Sequence, residues 1–230
     1  MSIAVIPARG GSKRIPRKNI RPFCGKPIIA YSIDVALRSG LFSSVIVSTD
    51  DEEIADVARS FGADVPFMRP AHLADDFTGT GPVLVHALMH CQEQRQQVDA
   101  VCCIYATSPF TTVEDLTRGY EALQTAPAAF TVTDFPASPF WALKQDDQGR
   151  MVMLEPEYLD VRSQDLPELF HDTGQIYWGT SEFFLGENDI QAGNAVGIHV
   201  PRYRTQDIDS MDDWARAEIM YQVLKGSGKL

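Results

Sequence analysis

Residues 3–19 read IAVIPARGGSKRIPRKN. The first five form a short, unbroken apolar run, the pattern of a strand covered on both faces. A loop with two glycines, a serine and five cations follows at once. Strand, glycine turn, then cations is the order expected at the C-terminal edge of a parallel sheet, where open α/β folds bind ligands. Arg9, Lys13, Arg14, Arg17 and Lys18 supply the charge. Gly10, Gly11 and Ser12 let backbone N–H groups approach an anion closely. Converging cations and exposed amides suit a polyphosphate. The loop is neither GxxxxGK[ST] nor GxGxxG.

The pattern continues outward from this stretch. Residues 27–38 carry apolar positions at helical spacing, with Pro27 suited to a first helical position. Residues 44–49 read as a buried strand, and Asp50 with Glu53 as the capping box of a helix reaching Gly62. A short strand at 64–68, a helix at 80–95 and a strand at 100–106 follow. Thr111 and Glu114 read as a second capping box, opening a helix to about residue 125, and 128–134 as a further strand. Strands resume at 174–180 and 195–200, and Ser210 caps a last helix to about residue 225. Alternating all-apolar strands and helices with short connections predict an α/β fold: a mostly parallel sheet with helices on both faces.

Residues 135–170 break that pattern, with four prolines and no helical period. They read as an arm or β-insertion leaving the sheet, a usual place for dimer contacts. The chain thus divides into a core at 1–134, an arm at 135–170 and a return to the core at 171–230.

The chain has 230 residues and a formal charge of −11. That length can bury about 70% of its surface, so the core needs no disulfide or structural metal. The charge is unevenly placed. Before Asp34 there are seven cations and no acid, so residues 1–33 carry +7 and the remainder −18. A basic pole on an acidic body suits a small polyanion and disfavours nucleic acid or an anionic membrane. No stretch approaches the ~20 apolar residues of a membrane span. Cys24, Cys91, Cys102 and Cys103 form no CxxC pair, and no Asn-x-Ser/Thr site occurs. With no signal-peptide pattern at the N-terminus, these features predict a cytoplasmic location.

Asp207 and Asp209, two apart, face one side of an extended segment. Paired carboxylates are hard oxygen ligands suited to Mg²⁺ shared with substrate phosphates. Asp212 and Asp213 instead fit the first turn of the last helix. His86 and His90 lie four apart without a third ligand and read as a packed or exposed helix pair. His171-Asp172 reads as a loop dipeptide. No Gly-x-Ser-x-Gly elbow is present.

The N-terminal motif resembles that of the cytidylyltransferases that activate acidic sugars, the CMP-sialic acid synthetases and their relatives. STDDEEIADVARSFGADVPFMRPAHLADD (48–76), ATSPF (106–110), RSQDLP (162–167) and DIDSMDDW (207–214) resemble later blocks, so the likeness spans almost the whole chain. RIPRKNI (14–20), FCGKPIIAYSI (23–33), CIYATSPF (103–110) and HDTGQIYWG (171–179) resemble the branch acting on pseudaminic acid. Sialic acid enzymes usually carry Gln-Pro-Thr-Ser-Pro where Tyr105-Ala106-Thr107-Ser108-Pro109 stands.

The resemblance implies a Rossmann-like, nucleotidyltransferase-like fold with a protruding dimerisation arm. It implies CTP and an acidic nine-carbon sugar as substrates, Mg²⁺ or Mn²⁺ as cofactor, a homodimer, and a product for surface-glycan or flagellin glycosylation. Arg9, Ser12, Lys13, Lys18 and Asn19 match CTP-holding positions, with Arg9 and Lys18 near the reacting phosphate. Arg69 matches a nucleotide-pocket Arg, and Asp207 and Asp209 match the metal pair, with Asp209 counted as catalytic. Lys144 and Arg162 match positions reaching the sugar carboxylate across a dimer interface. Tyr105 and Tyr177 match sugar-site positions. The alternatives are the same reaction on legionaminic acid, N-acetylneuraminic acid or Kdo, or a non-catalytic nucleotide-binding module.

Overall fold

The computed structural model describes residues 1–186 and 188–230. The strands are β1 (Ser2–Pro7), β2 (Pro22–Phe23), β3 (Lys26–Pro27), β4 (Ser44–Ser48) and β5 (Ala100–Ile104). They continue with β6 (Ala128–Asp134), β7 (Leu143–Gln145), β8 (Met151–Met153), β9 (Phe170–Thr180) and β10 (Ala195–His199). The helices are α1 (Ile29–Ser39), α2 (Glu52–Ser60), α3 (Thr80–Glu93), α4 (Val113–Ala122), α5 (Ser181–Leu185) and α6 (Met211–Gly226).

Six strands form the central sheet in the order β10-β6-β9-β5-β1-β4. All pairs are parallel except those of β9, which runs antiparallel to both neighbours. The expected mostly parallel sheet is therefore present, with one reversed strand. The alternation of β1 explains its two-sided burial. Ala4 and Ile6 face one cluster with α1, α2 and α4, whereas Ile3 and Val5 face another with α3 and α5. A third cluster joins α6 to the β2–β3 turn through Phe23, Tyr31, Phe110 and Trp214. It also takes Ile15 from the middle of the basic loop, fully buried. One buried side chain of this size contributes about 1.5–3 kcal/mol.

Both early N-caps fall one residue later than expected, and on α2 the cap forms without a box. Asp51, not Asp50, caps α2 by accepting from Ile54 N at 3.0 Å. Thr112 and Asp115, not Thr111 and Glu114, close the box on α4. Either member of the Asp50-Asp51 and Thr111-Thr112 pairs satisfies the local rule, and packing of the apolar face selects the register. Ser210 caps α6 as expected, with Asp213 completing the box. Residues 64–68 make two isolated bridges, Ile46 to Asp64 and Thr49 to Met68, in place of a strand.

The arm segment carries the β7–β8 hairpin, paired antiparallel from Leu143–Met153 to Gln145–Met151. Asp146 closes its turn by accepting from Gln148 N and Arg150 N, both at 2.9 Å. The arm exposes Leu143, Met151, Leu154 and Leu159 at 54–68%.

Candidate active site

The loop after β1 is held from beneath. Ala8 N extends the β1–β4 ladder to Ser48 O at 2.9 Å. Gly10 N donates to Asp50 Oδ1 at 2.9 Å, and Asn19 Nδ2 to Arg9 O at 2.9 Å. Arg17, in the left-handed region at φ 56°, grips Asp51 at 2.5 and 3.0 Å and Glu53 at 2.5 Å. That pairing holds the Asp51 carboxyl below the usual carboxylate range. Arg17 thus anchors the loop and does not line the cavity above it.

The remaining cations point toward that cavity. Arg9, Ser12, Lys13, Arg14, Lys18, Asn19 and Arg69 all line it, together with Thr78, Thr80, Tyr105 and Thr107. Its volume is about 450 Å³, within the range of small-ligand sites. Carboxylates at the rim meet the cations. Asp76 pairs with Arg9 at 2.8 Å and with Lys13. Asp209 pairs with Arg14 at 2.6 Å and Lys18 at 3.5 Å, and Lys18 Nζ also donates to Ile208 O at 2.6 Å. Arg69 is buried at the base, donating from Nε to Ser48 Oγ at 3.1 Å and from its terminal nitrogens to Ser48 O and Leu73 O. Burial lowers its pKa, yet a guanidinium stays charged at any working pH.

Of the three loop amides, two are committed: Gly10 N to Asp50 and Ser12 N to Gly10 O at 3.0 Å. Gly11 N makes no hydrogen bond among the described residues. Gly10 has a different task. A Cβ there would lie 2.6 Å from Asp51 Oδ2 and 2.9 Å from its Cβ, so only hydrogen lets the loop sit on the α2 cap.

A second cavity of about 360 Å³ adjoins the first, sharing Thr80 and Tyr105. Leu84, Phe184 and Ile190 give it an apolar side, and Asp172, Tyr177 and Gln191 a polar one. Tyr105 OH lies 3.0 Å from Thr80 Oγ1, so it stands at the partition between the cavities. Burial pushes both phenols up, Tyr177 well above the ordinary range, with Tyr105 and Asp172 adding to the effect.

Asp207 and Asp209 line neither wall of the first cavity. Asp209 reaches its rim through Arg14 and Lys18. Asp207 opens on a neighbouring hollow with Thr133, His171 and Arg202. Desolvation and the nearby Asp209 charge raise the Asp207 pKa. Two mutually repelling carboxylates beside a polyphosphate-sized cavity fit a divalent cation chemically. No group of three or more His, Cys, Asp or Glu suited to a metal occurs among the described residues.

Lys144 and Arg162 stand exposed on the arm and line neither cavity of their own chain; Arg162 pairs with Asp165 at 2.7 Å. His86 and His90 both pack on Phe67, at 4.6 and 5.0 Å between ring centroids. Asp76, Thr78, Thr80 and Gln191 were not singled out from sequence. The Gly79-Thr80-Gly81-Pro82 entry into α3 is the signal that marks the first three.

Comparison with known proteins agrees with this geometry. The family model described as Cytidylyltransferase matches residues 3–204. A pseudaminic acid cytidylyltransferase of Campylobacter jejuni is 41% identical over 224 residues, 96% of this chain and 97% of that protein. A CMP-N,N'-diacetyllegionaminic acid synthase of Legionella pneumophila is 32% identical over 226 residues, 96% of each chain. In fold, the chain matches CMP:2-keto-3-deoxy-manno-octonic acid synthetase, solved with CTP, at a TM-score of 0.72 and 19% identity, covering 97% of this chain and 99% of that one. With a family model spanning most of its length and full-length relatives above 30% identity, the chain belongs to the cytidylyltransferase family.

Proposed function

We propose that the chain transfers CMP from CTP to pseudaminic acid, an acidic nine-carbon sugar, and releases pyrophosphate. The observation that carries this reading is the pair of adjoining cavities, one ringed by cations and one mixed, meeting at Tyr105 and Thr80. The 41% identity to the Campylobacter jejuni enzyme selects the sugar among the acidic sugars of the family.

In this reaction the anomeric hydroxyl of the sugar attacks the α-phosphorus of CTP. A new P–O bond forms, the α–β bridging bond breaks, and pyrophosphate leaves in line with that electron pair. The hydroxyl proton passes to water. Negative charge grows on the leaving oxygens, so the protein's work is positioning and charge stabilisation. Arg9 and Lys18 serve as the transition-state cations, Lys13 and Arg69 hold the phosphates and the nucleotide, and Gly11 N offers a free donor. Arg9, Lys13, Arg14 and Lys18 each exchange a carboxylate of Asp76 or Asp209 for a phosphate oxygen, so the loop is preorganised before CTP enters. Tyr105 and Tyr177 face the sugar. Asp207 and Asp209 would hold Mg²⁺ or Mn²⁺, which when bound neutralises phosphate charge.

The chain acts as a homodimer, in which the arm covers its apolar face and brings Lys144 and Arg162 to the partner's sugar site. Two observations support this. The exposed surface is 12,190 Å², against about 10,000 Å² for a compact chain of this mass. Leu143, Met151, Leu154 and Leu159 contribute to the excess. No helix among the described residues is long and apolar enough to cross a membrane. With four free cysteines, a reducing cytoplasm is the fitting location.

The test is pyrophosphate release by the purified protein with CTP, Mg²⁺ and a sugar panel. Turnover with pseudaminic acid, exceeding that with legionaminic acid, N-acetylneuraminic acid and Kdo, is expected. Turnover confined to another sugar refutes the substrate assignment, and CTP binding without turnover on any sugar refutes the transfer itself.

A further inference from the structure

Residues 205–209, which carry Asp207 and Asp209, belong to neither a strand nor a helix. No ladder fixes their backbone, so the placement of the two carboxylates depends on how the segment is fastened at its ends. Downstream, Lys18 Nζ donates to Ile208 O at 2.6 Å, Ile208 is buried in the cluster of Trp214, and Ser210 with Asp213 close the box on α6. The upstream fastening is Arg204, the last residue of a 3₁₀ turn at Arg202–Arg204.

Arg204 is gripped from two directions. Its guanidinium forks onto Asp115 at 2.5 and 2.9 Å, and Nη1 also donates to Phe110 O at 3.3 Å. Its carbonyl accepts from Gln175 Nε2 at 2.7 Å. Arg204, Asp115 and Gln175 are all buried, at 8%, 1% and 3% exposure. Water therefore does not compete for these bonds, and each is stronger than it would be at the surface. Asp207 follows Arg204 by three residues.

Gln175, on β9, stands where the two halves of the site meet. Its main-chain O accepts from Tyr105 N at 3.0 Å, so its backbone supports the partition between the cavities. Its side chain crosses to the carboxylate segment. A carbonyl only accepts, so Nε2 must face Arg204 O, and Oε1 is left over. Oε1 is buried and has no hydrogen-bond partner among the described residues. An unpaired buried amide oxygen costs stability. An apolar side chain of the same length would remove that orphan and leave Arg204 O as another, so the amide adds little net stability. What it adds is a directional bond to the residue from which the carboxylate segment departs.

We propose that Gln175 is a positioning residue which, through the carbonyl of Arg204, sets where Asp207 and Asp209 stand and so sets the affinity of the site for its divalent cation. The proposal rests on the reading that these two carboxylates hold Mg²⁺ or Mn²⁺.

Gln175→Met tests it, since methionine matches glutamine in length and carries no N–H. Mn²⁺ binding to the CTP-loaded protein is titrated by water-proton relaxation enhancement, which reports the ion held on the macromolecule. CTP affinity is measured separately in EDTA, and thermal unfolding follows stability. The expected result is a Kd for Mn²⁺ raised about tenfold, the low end for residues that hold metal ligands in place. CTP affinity without metal should be unchanged, and the Tm should fall by no more than about 4 °C. Asp209→Ala should weaken Mn²⁺ binding by itself, and adding Gln175→Met to it should weaken it no further, because one residue acts through the other. A Kd for Mn²⁺ within about twofold of wild type overturns the proposal. So does a loss of metal-free CTP affinity as large as the loss of Mn²⁺ affinity, because a general loosening of the fold moves both. Should Gln175→Met fail to fold, Gln175→Asn, which keeps the amide and shortens its reach by one methylene, is judged by the same limits. A wild-type protein that takes up no Mn²⁺ with CTP, or an Asp209→Ala protein that binds Mn²⁺ as tightly as wild type, refutes the metal reading itself and the proposal with it, an outcome distinct from failure at Gln175 alone.

Discussion

Gly10 and Gly11 are adjacent, both in the basic loop after β1, and chemically identical, yet the structure predicts opposite responses to alanine. At Gly10 the new methyl would stand 2.6 Å from Asp51 Oδ2, 2.9 Å from Asp51 Cβ and 3.2 Å from its Cγ. Asp51 cannot give way cheaply, because it caps α2 at Ile54 N and holds Arg17 through two hydrogen bonds. Either the cap is lost, at about 1 kcal/mol, or the loop is pushed outward with the strain of an overpacked contact, about 1–3 kcal/mol. For a chain of this size the Tm should fall by roughly 2–10 °C. The functional cost is larger. Arg9 and Lys13 flank the displaced segment, and a shift of about 1 Å in a positioned group can cost about 100-fold in rate. Gly11→Ala is the control. Nothing lies within 4 Å of its Cβ, its N–H is kept, and stability should stay within about 0.5 kcal/mol. Thermal unfolding and kcat/KM from pyrophosphate release read both variants. A Gly10→Ala protein with wild-type Tm and kcat/KM, or a Gly11→Ala protein as damaged as Gly10→Ala, would refute the reasoning.

Asp115→Ala strips the partner from Arg204, whose guanidinium is bound at 2.5 and 2.9 Å in a buried pair; urea unfolding should show a loss of about 3–5 kcal/mol. Asp51, with its folded pKa depressed by Arg17, contributes stability that is present above its unfolded value near pH 4 and is lost as pH falls through the folded value. Asp51→Asn should therefore flatten the loss of unfolding free energy between about pH 6 and pH 3, and an unchanged slope counts against that contribution. Asp209→Ala should abolish metal-dependent turnover while leaving the circular dichroism spectrum intact, and retained turnover refutes its ligand role. Leu159→Asp on the arm, at a side chain 68% exposed in the single chain, should leave the Tm of the monomer fold unchanged and halve the mass seen by light scattering; a mass equal to that of wild type contradicts the arm as the dimer contact.

Much of the fold is legible one residue at a time. The two-sided burial of β1, β4 and β5 follows from unbroken apolar runs, and the α6 box from Ser210 and Asp213. The basic loop after β1 announces itself by glycine and charge density. Where two neighbouring residues obey the same local rule, sequence cannot choose. Asp50 and Asp51 are both competent caps, and the structure gives Asp51 to the helix and Asp50 to Gly10 N. The reversed direction of β9 is equally silent, because alternation and apolarity are the same in either sense along a strand.

The chain's local chemistry determined an α/β fold with a basic glycine loop at the end of the first strand, with cations gathered before any acid appears in the sequence. Short-range rules suffice there, since strand, turn and charge lie within twenty consecutive residues. Tertiary structure decided which cations face the cavity and which, like Arg17, fasten it. It also decided that Asp76 and Asp209, 63 and 195 residues from their Lys13 and Arg14 partners, close the rim. The bond from Gln175 on β9 to Arg204 O, across 29 residues, belongs to the same class. These contacts depend on how separate elements pack, which is not encoded within any local window.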